Sequence, residues 1–116
     1  MKMIFVSSPY AGDVEKNIEF SKQACHYVII TGNAFFCPHL LYPQVLDDVN
    51  PEERSLGMKM AKQLLSACDE LWVFGDRISH GMFEEIEYAR QHNIPLKRII
   101  SMDMLQEETV LCMEMH

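Results

Sequence analysis

Ser79 to Ala89 reads SHGMFEEIEYA and holds three glutamates, Glu84, Glu85 and Glu87, within four residues. A carboxylate can serve as a nucleophile or a general base, but only where the fold withdraws it from bulk water and faces it toward a ligand. On a helical wheel of roughly 100° per residue, Met82, Ile86, Ala89 and Asn93 cluster within about 40° and form the face expected to pack on a sheet. Glu85 lies about 60° from Met82, at the edge of that apolar stripe. Glu84 and Glu87 fall on the far side and are expected in solvent, with Glu87 in reach of Arg90 at i+3. Two readings of Glu85 follow. It is either a structural carboxylate serving the helix dipole or a nearby cation, or a functional one at the start of a helix.

Ser79 precedes Glu85 by six residues. Its plain role is a helix N-cap. The same serine, with the amides of Gly81 and Met82 behind it, also forms an anion site, and Gly81 lets a ligand approach the backbone closely. His80 reads as a solvated helix-start histidine or a phosphate contact. His39, after a strand and a proline, reads as pocket lining or as a surface loop residue.

The elements that must position these groups alternate along the chain. MIFVS (Met3–Ser7), AFFCP (Ala34–Pro38), ELWVFG (Glu70–Gly75) and LKRII (Leu96–Ile100) are apolar runs of strand length. Between them, GDVEKNIEFSKQACHYVIITG carries Val14, Ile18, Ser21, Cys25, Val28 and Ile29 at helical spacing, with Asp13 as cap and Gly32 as stop. NPEERSLGMKMAKQLLSAC opens with Asn50 as N-cap, Pro51 at N1 and Glu53 placed for a capping box. HGMFEEIEYARQHN is the last long helix, stopped by Asn93 and Pro95. HLLYPQVLDDVN reads as a loop, and the segment from Ser101 as a short helix or a strand paired with a partner chain. Strands alternating with helices predict right-handed crossovers and a parallel sheet. The expected fold is one domain over residues 1–116: a three-layer α/β/α sandwich with four to five parallel strands, flavodoxin- or Rossmann-like, with Met3–Ser7 central. Ligands in such folds sit at the carboxyl ends of the strands. Three loops meet there, and they carry Ser8 and Tyr10, then His39, then Asp76, Ser79, Gly81 and Met82.

Composition narrows the function classes. A net charge of −7 over 116 residues argues against a nucleic-acid polymer as partner. Apolar residues make up 48% of the chain in short runs, which suits a globular core and no membrane span. MKMIFVSSPY lacks the long apolar region and cleavage site of a signal peptide, so a cytoplasmic location is expected. Cys25, Cys37, Cys68 and Cys112 form no CxxC pair, and neither a disulfide framework nor a metal site is expected. Trp72 and the methionines are assigned to the core. The chain has no Walker A or GxGxxG loop, so an ATPase or a Rossmann dehydrogenase would lack its phosphate cradle.

IFVSSPYAG, ACDELWVFG and SHGMFEEIEYA, in that order, resemble the nucleoside 2-deoxyribosyltransferase family, including its deoxynucleoside 5′-monophosphate N-glycosidase branch. The last stretch carries the resemblance: a serine or aspartate, a glycine two residues on, a glutamate four residues later, then an apolar residue and an alanine. PHLLYPQ and PEER point to a small uncharacterised branch, and the likeness spans about Met3 to Ile100. It implies a retaining mechanism in which Glu85 attacks C1′ of a 2-deoxyribosyl group and the base departs. It implies a nucleoside or nucleotide as the small-molecule partner, no cofactor, and a homo-oligomer of two or more copies. It assigns the 5′-phosphate to Ser79, and the sugar and base pocket to Ser8 and Tyr10. One position departs from the pattern: the acid expected eight residues before Asp69 is Ala61. His39, Asp76 or Glu53 could substitute for it. Ala61 also keeps open the alternative of a nucleotide-binding module without turnover.

Overall fold

The computed structural model describes residues 1–9, 12–47 and 49–100. In chain order its elements are β1 (Met3–Ser7), α1 (Val14–Ile30), β2 (Ala34–Phe36), α2 (Pro38–Leu41), a 3₁₀ turn (Tyr42–Gln44), α3 (Pro51–Leu65), β3 (Glu70–Phe74), α4 (His80–Gln91) and β4 (Leu96–Ile99). The four strands are parallel in the order β2-β1-β3-β4. β1 is interior, with Phe5 opposite Phe36 on one side and Leu71 on the other. This is the expected α/β architecture, with four parallel strands among the described residues.

Side-chain alternation along each strand feeds two separate cores. Ile4 and Val6 of β1, with Trp72 and Phe74 of β3, pack against Ala24, Tyr27 and Val28 of α1. Phe5, Leu71 and Val73 face the other way, against Ala61 and Leu65 of α3 and Met82 and Ala89 of α4. The same parity continues past the apolar residues. Ser7 follows Phe5 toward α3 and α4, and Ser8 follows Val6 toward α1. Both serines are fully buried, so each needs a partner. Trp72 is core, as expected, and its indole N–H donates to Glu70 Oε1 at 2.9 Å.

The helix caps follow the sequence, with one variation. Asp13 accepts from the amide of Lys16, and Asn50 Oδ1 accepts from those of Glu52 and Glu53 at 2.9 and 3.2 Å. The capping box at α3 is not closed. The Asn50 amide donates to the Asp47 carbonyl, so Glu53 reaches further back and accepts from the Asp47 amide at 3.1 Å. Asn50→Ala orphans two helix-start amides and is expected to lower unfolding stability by about 1 kcal/mol in urea titration.

Several expectations are corrected. β2 stops at Phe36, and Pro38 does not end a strand but opens α2. Its fixed φ and missing N–H suit the first helical turn. The segment after Cys37 is therefore partly helical rather than a loop throughout. Val14 and Ile29 lie outside the core of α1, whose buried face is Ser21, Ala24, Cys25, Tyr27 and Val28. Asn93 does not pack on the sheet: it is exposed, past the end of α4, with φ of 57°. Asparagine tolerates this left-handed turn, which carries the chain into β4. β3 ends at Phe74, and β4 ends at Ile99 with Ile100 exposed. Among the described methionines, only Met82 is fully buried. Tyr10 and the segment from Ser101, with Cys112, lie outside the described residues.

Candidate functional site

Glu85 sits in the second turn of α4, only 2% exposed. The wheel put it at the edge of the apolar stripe; the packing of α4 over the end of β1 closes that edge. Ser7 Oγ donates to Glu85 Oε1 at 2.6 Å. The contact joins residues 78 positions apart, and both side chains are buried. Burial pushes the Glu85 carboxyl up to about 7; the Ser7 bond pulls against that shift and the neighbouring Glu84 adds to it. Losing water disfavours the charged form, and one hydroxyl replaces only part of the lost hydration. Glu85 is thus divided between acid and carboxylate near neutral pH. Ser7→Ala removes the bond that favours the carboxylate. Its ionisation midpoint, followed by NMR of a labelled carboxyl carbon, is expected to rise above that of the native protein.

The other two glutamates of the stretch behave as the wheel requires. Glu87 accepts from Arg90 at 3.4 Å across i+3, and Glu84 lies 3.8 Å from His80 across i+4. Both are partly exposed.

Glu85 lines a cavity of about 210 Å³ that opens at the carboxyl edge of the sheet. One wall comes from α2 and the turn after it, through Pro38, His39, Tyr42, Pro43 and Leu46. The facing wall is α3, through Glu53, Arg54, Gly57, Met58 and Ala61, and the start of α4 supplies Ser79, His80 and Gly81. Two glycines stand where the walls come close. A Cβ on Gly57 would meet Leu46 Cδ1 at 3.3 Å, and one on Gly81 would meet Met58 Cε at 3.3 Å. The volume lies somewhat below the roughly 300–1,000 Å³ of drug-sized pockets.

His39, Ser79, Gly81 and Glu85 are brought together on this cavity. Ser79 is also the N-cap of α4, its Oγ accepting from the Met82 amide at 3.3 Å. Three of the expected residues are placed elsewhere. Ser8 shares a hydrogen bond with Ser21 on the α1 side of the sheet, at 2.6 Å. Met82 is wholly buried, with its side chain in the core. Asp76 is exposed on the loop after β3 and is not part of the lining. Ser7, Arg54 and the apolar wall from Tyr42 to Leu46 were not singled out from sequence. Strand parity was the available signal for Ser7, since it shares the face of Phe5.

Among the described residues no group of three or more His, Cys, Asp or Glu side chains could hold a metal ion. No helix among them is long and apolar enough to cross a membrane.

Residues 2–99 match the family described as "Domain of unknown function (DUF7768)", and the chain belongs to that family. A comparison with curated proteins finds no match. Among solved structures, the fold is similar to a 2-deoxyribosyltransferase from the psychrotolerant bacterium Bacillus psychrosaccharolyticus, with a TM-score of 0.68 and 16% identity, over 88% of this chain and 79% of the other. At that identity the likeness is one of fold.

Proposed function

We propose that the protein cleaves the N-glycosidic bond of a deoxynucleoside or its 5′-monophosphate, with Glu85 as nucleophile. The observation that carries this reading is a buried carboxylate, hydrogen-bonded to Ser7, facing a cavity at the carboxyl edge of a parallel sheet. The fold likeness to a 2-deoxyribosyltransferase supports the same chemistry. The ionised Glu85 attacks C1′, the C1′–N bond breaks, and its electron pair leaves with the base. Water then opens the glycosyl ester and regenerates the carboxylate; a second base at that step would give transfer instead. Ser7 keeps one carboxylate oxygen fixed, which orients the other.

The departing base needs a proton, and a well-placed acid is worth about 10²–10⁴-fold. Ala61, 3% exposed in the α3 wall, cannot supply one. Glu53 and His39 line the cavity and are the candidate donors, whereas Asp76 is not on it. Homo-oligomerisation and action on small molecules belong to the same proposal, and light scattering reads the first directly.

The second reading, a module that binds a nucleotide without turnover, is favoured by Ala61 alone. Incubation with the deoxynucleoside monophosphates and nucleosides, with chromatography of the free base, separates the two. Base release by the native protein and its loss in Glu85→Ala support the enzyme. Ligand-raised melting temperature without any release supports the binding module.

A further inference from the structure

We infer that Arg54 reads a phosphate group on the substrate, so that the cavity selects a 5′-monophosphate over the free nucleoside; this rests on the proposed glycosidic chemistry at Glu85. The geometry of α3 against α4 carries it. Met58 meets the first turn of α4 at Gly81. Arg54 lies one turn before Met58 on the same face of α3, about 6 Å further out along the helix axis. Both residues line the cavity together with Ser79 and His80. The guanidinium therefore belongs to the outer end of the cavity, beside the start of α4, while Glu85 holds the inner end.

Among the described residues the Arg54 guanidinium makes no ion pair and no hydrogen bond, whereas Lys2 and Arg90 are each paired with a glutamate. The adjacent Glu53 carboxylate is occupied by the Asp47 amide, and the Glu84 carboxylate lies toward His80. Ser79 Oγ accepts from the Met82 amide, so its own hydrogen is available to an anion oxygen. A guanidinium offers a planar fork that fits two phosphate oxygens at once.

Charge also fixes which way a ligand lies. The ionised Glu85 repels a second anion at the inner end, and a phosphate at the outer end meets the cation. A deoxynucleotide links its anomeric carbon to the phosphate through O4′, C4′, C5′ and O5′. Binding the phosphate at Arg54 therefore directs C1′ inward. With a net charge of −7, the protein as a whole offers an anionic ligand little attraction. A local arginine on the cavity wall is then what decides affinity.

The test compares native protein, Arg54→Ala and Arg54→Lys on the four deoxynucleoside 5′-monophosphates and the matching nucleosides. The expected result is that the native protein prefers monophosphates in kcat/KM. That preference ratio falls about tenfold or more in Arg54→Ala, as loss of a charged hydrogen-bonded contact requires, and returns partly in Arg54→Lys. An unchanged ratio in Arg54→Ala overturns the assignment, as does a native preference for nucleosides. If no compound releases base, the glycosidic reading fails, and Arg54 is judged by calorimetric titration with 2-deoxyribose 5-phosphate and 2-deoxyribose. Tighter binding of the phosphate form, lost in Arg54→Ala, sustains the phosphate site; equal binding of the two sugars sinks it.

Discussion

Glu85→Gln is expected to abolish base release, lowering kcat/KM by about 10³-fold or more, with Glu85→Ala at least as severe. Glutamine retains the shape of the side chain and an oxygen to accept from Ser7, so the loss isolates the missing negative charge. Alanine leaves Ser7 without its partner and an empty volume beside it, so its effect mixes chemistry with packing. The native activity should rise with pH as Glu85 ionises, with the acid limb of kcat/KM centred near the midpoint of about 7 set by burial. Activity that is flat from pH 5 to 8 would remove Glu85 from the rate-determining chemistry.

The same substitution has the opposite effect on stability. The folded-state midpoint of Glu85, about 7, lies above its ordinary value of 4.5. A raised carboxyl midpoint means that the folded protein holds the proton more tightly than the unfolded chain. Its contribution to stability is complete below about pH 4.5 and is lost as pH rises through about 7. Over that interval the penalty grows to roughly 3 kcal/mol, at 1.36 kcal/mol per pKa unit. Glu85→Gln cannot ionise and escapes it. Urea unfolding should find the variant matching the native protein near pH 4 and exceeding it by up to roughly 3 kcal/mol at pH 8. A Glu85→Gln protein less stable than native at pH 8 would show that the ionised carboxylate is a structural asset, as in a buried ion pair. The predicted pair of results, activity lost and stability gained, is the signature of a charge retained for function at a cost to the fold.

Much of this arrangement is written in local sequence. The alternation of short apolar runs with amphipathic segments specifies the parallel sheet, because period-two and helical patterns cannot exchange roles without exposing their apolar faces. Asp13, Asn50 and Ser79 mark their helix starts since each offers an oxygen to amides that lack helical partners. Helical spacing also separated Glu85 from Glu84 and Glu87. It could not bury Glu85 by itself, for the closing contact comes from Ser7 on β1, distant in sequence and fixed only by the sheet. Ser8 shows the complementary error. Its loop position suggested the site, but strand parity turns it to Ser21 on the opposite face. Pro38 is ambiguous locally, since a proline stops a ladder and starts a helix equally well; the helix after it decides. Arg54 is hidden for another reason. An arginine in a polar helical face looks like any solvated charge until α2 and α4 enclose the space beside it.

The most direct test of Glu85 as nucleophile is covalent trapping. A 2-deoxy-2-fluoroarabinosyl nucleoside, tested beside its 5′-monophosphate, slows breakdown of the glycosyl ester relative to its formation, and peptide mass mapping then locates the sugar. One added fluoroarabinosyl mass is expected on the peptide containing Glu85, with release of an equivalent of base, and no adduct in Glu85→Gln. Base released with no adduct, or an adduct on any other residue, would contradict it.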